Sequence, residues 1–176
     1  MTDATPSPDT VVQPPAPFPV VHFLDADGRA VTSAAALAGG PCVVFYRGAR
    51  CLHCTTALRA YRHMISDLAA RGTKLVTVSP QHPDRSPSLR PLGEPTFAVL
   101  LDPGRRTAKA LGIMTVADYG GAAVPMPTVA IVDTAGMIRW LDVRPDHTTR
   151  TEPDEILDAL DTHLPARRPR TAGYAV

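Results

Sequence analysis

The chain has 176 residues, 44% hydrophobic and 20% charged, and 18 Lys+Arg against 17 Asp+Glu give a formal net charge of +1. That length suits one domain with a substantial core, and the balanced charge excludes the basic footprint of a dedicated nucleic-acid binder. No apolar run approaches the roughly 18 residues of a membrane span. Residues 1–19 lack the cationic and apolar regions of a secretory signal, so a reducing cytoplasm is the expected compartment.

In chain order, residues 1–17 carry Pro6, Pro8, Pro14, Pro15 and Pro17 and are expected to form a disordered arm. An ordered domain over 18–164 follows, and residues 165–176 read as a flexible basic tail. Val20 to Leu24 reads as a short strand, Asp25 to Gly28 as a turn with hairpin chemistry, and Arg29 to Thr32 as its return strand. Ser33 to Leu37 is a brief helical turn stopped by Gly39-Gly40. Cys42 to Tyr46 is a continuous apolar run, expected as a central strand buried on both faces. A long helix is predicted from about Cys51 to Ala70, then a strand over Leu75 to Val78. Prolines at 83, 87, 91 and 95 leave room for only a short or irregular helix in 81–95. Phe97 to Leu101 is a strand and Arg105 to Leu111 a helix. Val129 to Val132 and Met137 to Leu141 form a hairpin, and Glu152 to His163 is the last helix. Strands alternating with crossover helices predict an α/β sheet covered on both faces.

Of the three cysteines, Cys51 and Cys54 form a C-x-x-C, which in a reducing compartment points to redox chemistry or metal binding. A closed zinc site needs four ligands and no second pair exists, so no metal or cofactor is expected. The pair sits where a glycine-containing loop meets a helix N-terminus. First-turn N–H groups there lack intrahelical partners and the helix dipole is positive. No Ser, Thr, Asp or Asn in Arg47-Gly-Ala-Arg50 is available to cap them. Those donors are left for a thiolate, and Arg47, Arg50 and His53 add cationic character. Thiols so placed have pKa values of roughly 3.5–7.5 instead of about 8.5. Cys54, Leu58, Tyr61, Ile65 and Leu68 recur at helical spacing and form the core-facing stripe. Cys54 thus points inward and Cys51 occupies the exposed lip, one turn apart and within disulfide reach. Cys42 begins a strand whose residues advance about 3.3 Å each, which sets it about 13 Å from Tyr46. Disulfides need Cα atoms within about 7 Å, so Cys42 reads as a buried small hydrophobe.

Phe45-Tyr-Arg-Gly-Ala-Arg-Cys-Leu-His-Cys54 resembles the F-Y-R-G-x-W-C-P-Y-C segment of the peroxiredoxin-like branch of the alkyl hydroperoxide reductase/thiol-specific antioxidant (AhpC/TSA) family. Val78-Ser-Pro-Gln81, Leu100-Leu-Asp-Pro-Gly104, Val124 to Asp133 and Val143 to Pro153 resemble further motifs of that family in the same order. The resemblance implies a thioredoxin-like fold, a mixed central sheet flanked by helices with an N-terminal hairpin extension. It also implies a cis-proline at Pro127 whose loop faces the cysteine pair. The peroxiredoxin pattern P-x-x-x-T-x-x-C lays Arg47 on the proline, Cys51 on the threonine and Cys54 on the peroxidatic position. The thioredoxin pattern makes Cys51 the nucleophile instead. With the threonine gone, Arg47 is the candidate peroxide donor, and His53 resembles the histidine of an oxidising C-P-H-C pair. Asp146, His147 and Arg150, in the matched loop before the last helix, read as surface polar residues.

The expected function is therefore a thiol peroxidase for hydrogen peroxide or organic hydroperoxides. Cys54 is expected to become a sulfenic acid and Cys51 to resolve it to a disulfide. An external thiol reductant, thioredoxin or a low-molecular-weight thiol, completes the cycle, and the family adds a homodimer. The alternatives are a dithiol–disulfide oxidoreductase acting through Cys51 on protein or small-molecule disulfides, and a non-catalytic redox sensor. Neither nucleic acid nor membrane is an expected partner.

Overall fold

The computed structural model describes residues 11–38, 42–45, 51–82, 97–115 and 123–164. Its centre is built from apolar runs too short for helices. Cys42–Phe45 (β4), Leu75–Ser79 (β5) and Ala98–Leu101 (β6) lie parallel, and Thr128–Val132 (β7) and Met137–Val143 (β8) add an antiparallel hairpin on the other side of β4. Ala16–Pro17 (β1) pairs with the free edge of β8. His22–Leu24 (β2) and Ala30–Thr32 (β3) extend the sheet beyond β6, giving the order β1-β8-β7-β4-β5-β6-β2-β3.

Both faces of the sheet are covered, as the uninterrupted apolar strands require. All five residues of β7 are buried and divide by alternation. Val129 and Ile131 join Cys54, Leu58, Tyr61, Leu68, Ile156 and Leu160 on one face, beneath Leu52–His63 (α2), Ile65–Ala70 (α3) and Pro153–His163 (α5). Ala130 and Val132 join Phe18, Phe23, Leu37, Leu111 and Ile113 on the other, with Ser33–Ala36 (α1) and Arg106–Ala110 (α4). A bulge keeps β8 in step with this division. Ile131 opposes Trp140 but Val132 opposes Ile138, so Arg139 is the extra residue, and Trp140 and Ile138 pack on opposite faces. The β7–β8 turn is held by Asp133, whose Oδ1 accepts the Ala135 and Met137 N–H groups, with Gly136 at φ 77°.

Three expectations change. The helix predicted from about Cys51 to Ala70 is two helices, broken at Met64, where the Met64 N–H donates to the Tyr61 carbonyl in a tightened turn. The tighter turn shifts the phase, so Met64 is buried and Ile65 only half-buried. The supposed arm is structured from residue 11 onward. The Val12 N–H donates to the Leu111 carbonyl, Val11 and Val12 pack on the second core, and β1 occupies the sheet edge. Valines and a sheet edge outweigh the prolines there, since Pro is tolerated on an edge strand. Residues 1–10 and 165–176 lie outside the described residues. Finally, the cis bond among the described residues is Pro14–Pro15, and Met126–Pro127 is not cis. Trans is the ordinary state of an X-Pro bond; the Pro127 carbonyl accepts the Arg144 N–H, and the Met126 N–H donates to the Ile113 carbonyl.

Candidate active site

One end of the sheet gathers the elements the chemistry needs. Phe45, the last residue of β4, lies beside Val78 and Thr128, and Thr128 lies beside Val143, the last residue of β8. The chain leaving β8 begins its loop to α5 at this edge, and that loop meets the start of α2. Pro127, buried at the start of β7, belongs to this edge and is tied to the β8 loop through Arg144.

Cys51 is the N-cap of α2, with extended backbone at φ −88°, ψ 106°. Its Sγ accepts the Cys54 N–H at 3.3 Å, so sulfur takes the place that a Ser or Asp oxygen fills in an ordinary cap. The Cys51 carbonyl accepts the Thr55 N–H and hydroxyl, closing the first turn. Cys51 and Cys54 are not joined by a disulfide, and their sulfurs lie 2.7 Å apart. Cys54 is 2% exposed and part of the core, whereas Cys51 is half-exposed at its rim. The inward and outward assignment from helical phase is thus correct.

A cation meets the pair from a distant part of the chain. Arg150, in the β8–α5 loop, donates through Nη2 to Cys54 Sγ at 2.9 Å and to Cys51 Sγ at 3.4 Å. Its Nη1 donates to the His147 carbonyl at 2.9 Å and to the Thr149 carbonyl. Its Nε is buried without a hydrogen-bond partner. Reading Arg150 as a surface residue is therefore wrong, while Asp146 and His147 are exposed as expected. The signal that could have found it was its place inside a matched motif, next to the buried Thr151.

His53 is exposed on the next helical face and looks toward the β8–α5 loop. Asp146 there is held below the usual carboxylate range by the Thr148 N–H and hydroxyl, with His147 and His53 adding positive potential. Between α2 and the loop runs a cleft of about 640 Å³, bordered by Leu52, His53, Thr56, Arg150, Thr151 and Glu155. Leu52 is exposed beside Cys51. Arg47 and the side chain of Cys42 lie outside the described residues. Among the described residues, no group of three or more His, Cys, Asp or Glu is placed to hold a metal ion, and no helix is long and apolar enough to cross a membrane.

A vicinal dithiol capping the helix that follows a central parallel strand, with both sulfurs under one guanidinium, defines a thiol oxidoreductase of the thioredoxin-like fold. Comparison with solved structures agrees on the fold. Reduced Prx3 from Vibrio vulnificus in complex with hydrogen peroxide superposes with a TM-score of 0.79 over 88% of this chain and 99% of that one, at 19% identity. AhpC of Mycobacterium tuberculosis gives 0.70 over 86% and 93%, again at 19% identity. Among curated sequences, a Mycobacterium tuberculosis protein named as a peroxiredoxin is 29% identical over 122 residues, 68% of this chain and 78% of its own length. The AhpC/TSA family profile matches residues 12–141. The chain belongs to the AhpC/TSA family, a family of thiol-dependent peroxidases.

Proposed function

We propose that Cys54 and Cys51 carry a peroxidase cycle in which Arg150 supplies the positive charge. The observation that carries this is the guanidinium donating to both sulfurs at 2.9 and 3.4 Å. A cation at that distance favours the charged form of a thiol, and the shorter contact singles out Cys54. The Cys54 thiolate attacks one peroxide oxygen, an S–O bond forms as the O–O bond breaks, and the departing alkoxide or hydroxide takes a proton. The guanidinium is positioned to stabilise that developing charge. Cys51 as thiolate then attacks the Cys54 sulfenic sulfur, an S–S bond replaces the S–O bond, and the oxygen leaves as water after protonation. Two electrons from an external dithiol, or from two small thiols, restore the pair. This cycle needs a reducing compartment such as the cytoplasm. Pro127 belongs to the same edge, and His53 lines the approach.

The experiment is peroxide kinetics on Cys51→Ser and Cys54→Ser with a sulfenic-acid trap. Cys51→Ser is expected to yield a trapped sulfenic acid at Cys54 in one turnover. Sulfenic acid appearing only in Cys54→Ser would make Cys51 the attacking residue. A second activity, dithiol–disulfide exchange through Cys51, is favoured by one observation. Cys51 is the more exposed sulfur, and the adjoining cleft is far larger than hydrogen peroxide requires. Reduction of a protein disulfide at a rate comparable with peroxide turnover would establish it.

A further inference from the structure

Arg150 raises a question that its sulfur contacts alone do not answer. Residues 145–149 of its loop are exposed, an arginine side chain is flexible, and a buried Nε without a partner opposes the observed placement. Two of the guanidinium's acceptors are carbonyls of the same loop, so its place on the sulfurs depends on where the backbone beside it is held.

That backbone is fixed at the next residue. Thr151 is 3% exposed, and its carbonyl accepts the Tyr61 hydroxyl at 2.6 Å in a buried hydrogen bond spanning 90 positions. Tyr61 is on α2, two turns beyond Cys54 on the same buried stripe, and is itself 1% exposed. The Thr151 hydroxyl donates to Asp142 Oδ2 at 2.7 Å, at the end of β8. Asp142 Oδ2 also accepts Arg144 Nε at 2.6 Å. Arg144 continues the brace through Nη2 to both Glu155 oxygens, at 2.9 and 3.0 Å, and through its N–H to the Pro127 carbonyl. The segment carrying the cation is thus clamped to the helix carrying the thiols, to the sheet and to α5.

We infer that Tyr61 is a positioning residue for the dithiol, acting through Thr151 to hold Arg150 on the two sulfurs, with Asp142 bracing Thr151 from the sheet. In this role Tyr61 acts on the thiols through Thr151 and Arg150. The inference rests on the proposal that Arg150 stabilises the thiolate, and the test separates the two.

The measurement is the pH dependence of thiol alkylation in Tyr61→Phe, Arg150→Met and the double variant, with thermal unfolding recorded alongside. Tyr61→Phe removes one oxygen and leaves the ring to pack. It is expected to raise the midpoint of thiolate formation by roughly 0.7 units, seen as about fivefold slower alkylation below the midpoint. Arg150→Met is expected to raise it further, and Tyr61→Phe to add nothing in that background. Thr151→Val, which removes the hydroxyl but keeps the carbonyl, serves if Tyr61→Phe does not fold. It is expected to shift the midpoint in the same direction, again only when Arg150 is present. An unchanged midpoint in folded Tyr61→Phe, beside a shifted one in Arg150→Met, overturns the inference and leaves the Arg150 proposal standing. A Tyr61→Phe shift that persists undiminished without Arg150 overturns it too, since tyrosine would then act on the helix directly. An unchanged midpoint in Arg150→Met overturns both.

Discussion

Lysine at position 150 separates charge from geometry. Arg150 uses one nitrogen for two sulfurs and the other for two loop carbonyls, a fork that an ammonium on a flexible stem does not reproduce. Arg150→Lys is expected to keep part of the thiolate stabilisation but to lower the second-order rate with hydrogen peroxide by about tenfold to a hundredfold. That range lies below the roughly 10²–10³ lost when a single preorganised donor is removed outright, because the ammonium keeps part of the interaction. Stopped-flow peroxide kinetics at saturating thiolate, well above the alkylation midpoint, checks this, because charge alone would restore the rate there. A lysine variant with full activity under those conditions would reduce the guanidinium to a point charge. At this scale the two cysteines were legible from sequence, because the three-residue spacing and the apolar stripe place them by helical geometry alone. Arg150 was not. Its partners lie 96 and 99 positions earlier, and no local pattern distinguishes an arginine bound to sulfur from one in water. The missing Ser, Thr, Asp and Asn before Cys51 did have a structural meaning: the cap is Cys51 itself.

Helix α5 closes the brace around the site, and its start carries a capping box. Glu155 Oε2 accepts the Glu152 N–H at 2.8 Å, and the Glu152 side chain accepts from the Glu155 backbone. Pro153 begins the helix in the position where proline fits best. The Glu152 N–H, and after it the Arg144 guanidinium, hold the Glu155 carboxyl below its ordinary range. A depressed folded-state pKa binds fewer protons than the unfolded chain. The stabilisation is therefore complete above the unfolded value of about 4.3 and fades as pH falls through the folded one. Glu155→Ala is expected to cost about 1 kcal/mol at pH 7, mostly from the cap, since the half-exposed ion pair is screened. Urea unfolding at pH 7 and again near pH 3 should show the difference between variant and parent shrinking at the lower pH. A constant difference would assign the loss to packing. The cap region was readable from Thr-Glu-Pro followed by an apolar periodicity, whereas the break at Met64 was not. No glycine or proline marks it, and an unbroken phase through 65 and 68 was the simplest fit to the pattern.

The whole molecule keeps its chemistry on one face of a two-faced core. The dithiol helix, Tyr61 and α5 share one cluster, and the N-terminal segment with α4 and the β2–β3 hairpin occupies the other, with the sheet between them. The continuous apolar run of Cys42 to Tyr46 and the alternation of strands with crossover helices made two covered faces predictable. The contribution of residues 11–18 was hidden because proline-rich composition signals an unpacked chain until a sheet edge and a core surface are available to receive it. This division predicts that equal losses of stability have unequal chemical effects. Leu160 and Leu111 are 1% and 0% exposed on opposite faces. Replacing either by alanine is expected to destabilise the fold by about 2–5 kcal/mol. Leu160→Ala opens space in the cluster that contains Cys54 and Tyr61, so it is expected to move the pH midpoint of thiol alkylation as well. Leu111→Ala acts across the sheet and is expected to leave that midpoint in place while both variants remain folded. Interiors transmit strain through close packing, but a hydrogen-bonded sheet between two clusters confines the nearest relaxation to one side. Equal midpoint shifts in the two variants, at matched loss of stability, would show the dithiol to be coupled to the molecule as a whole instead of to its own face.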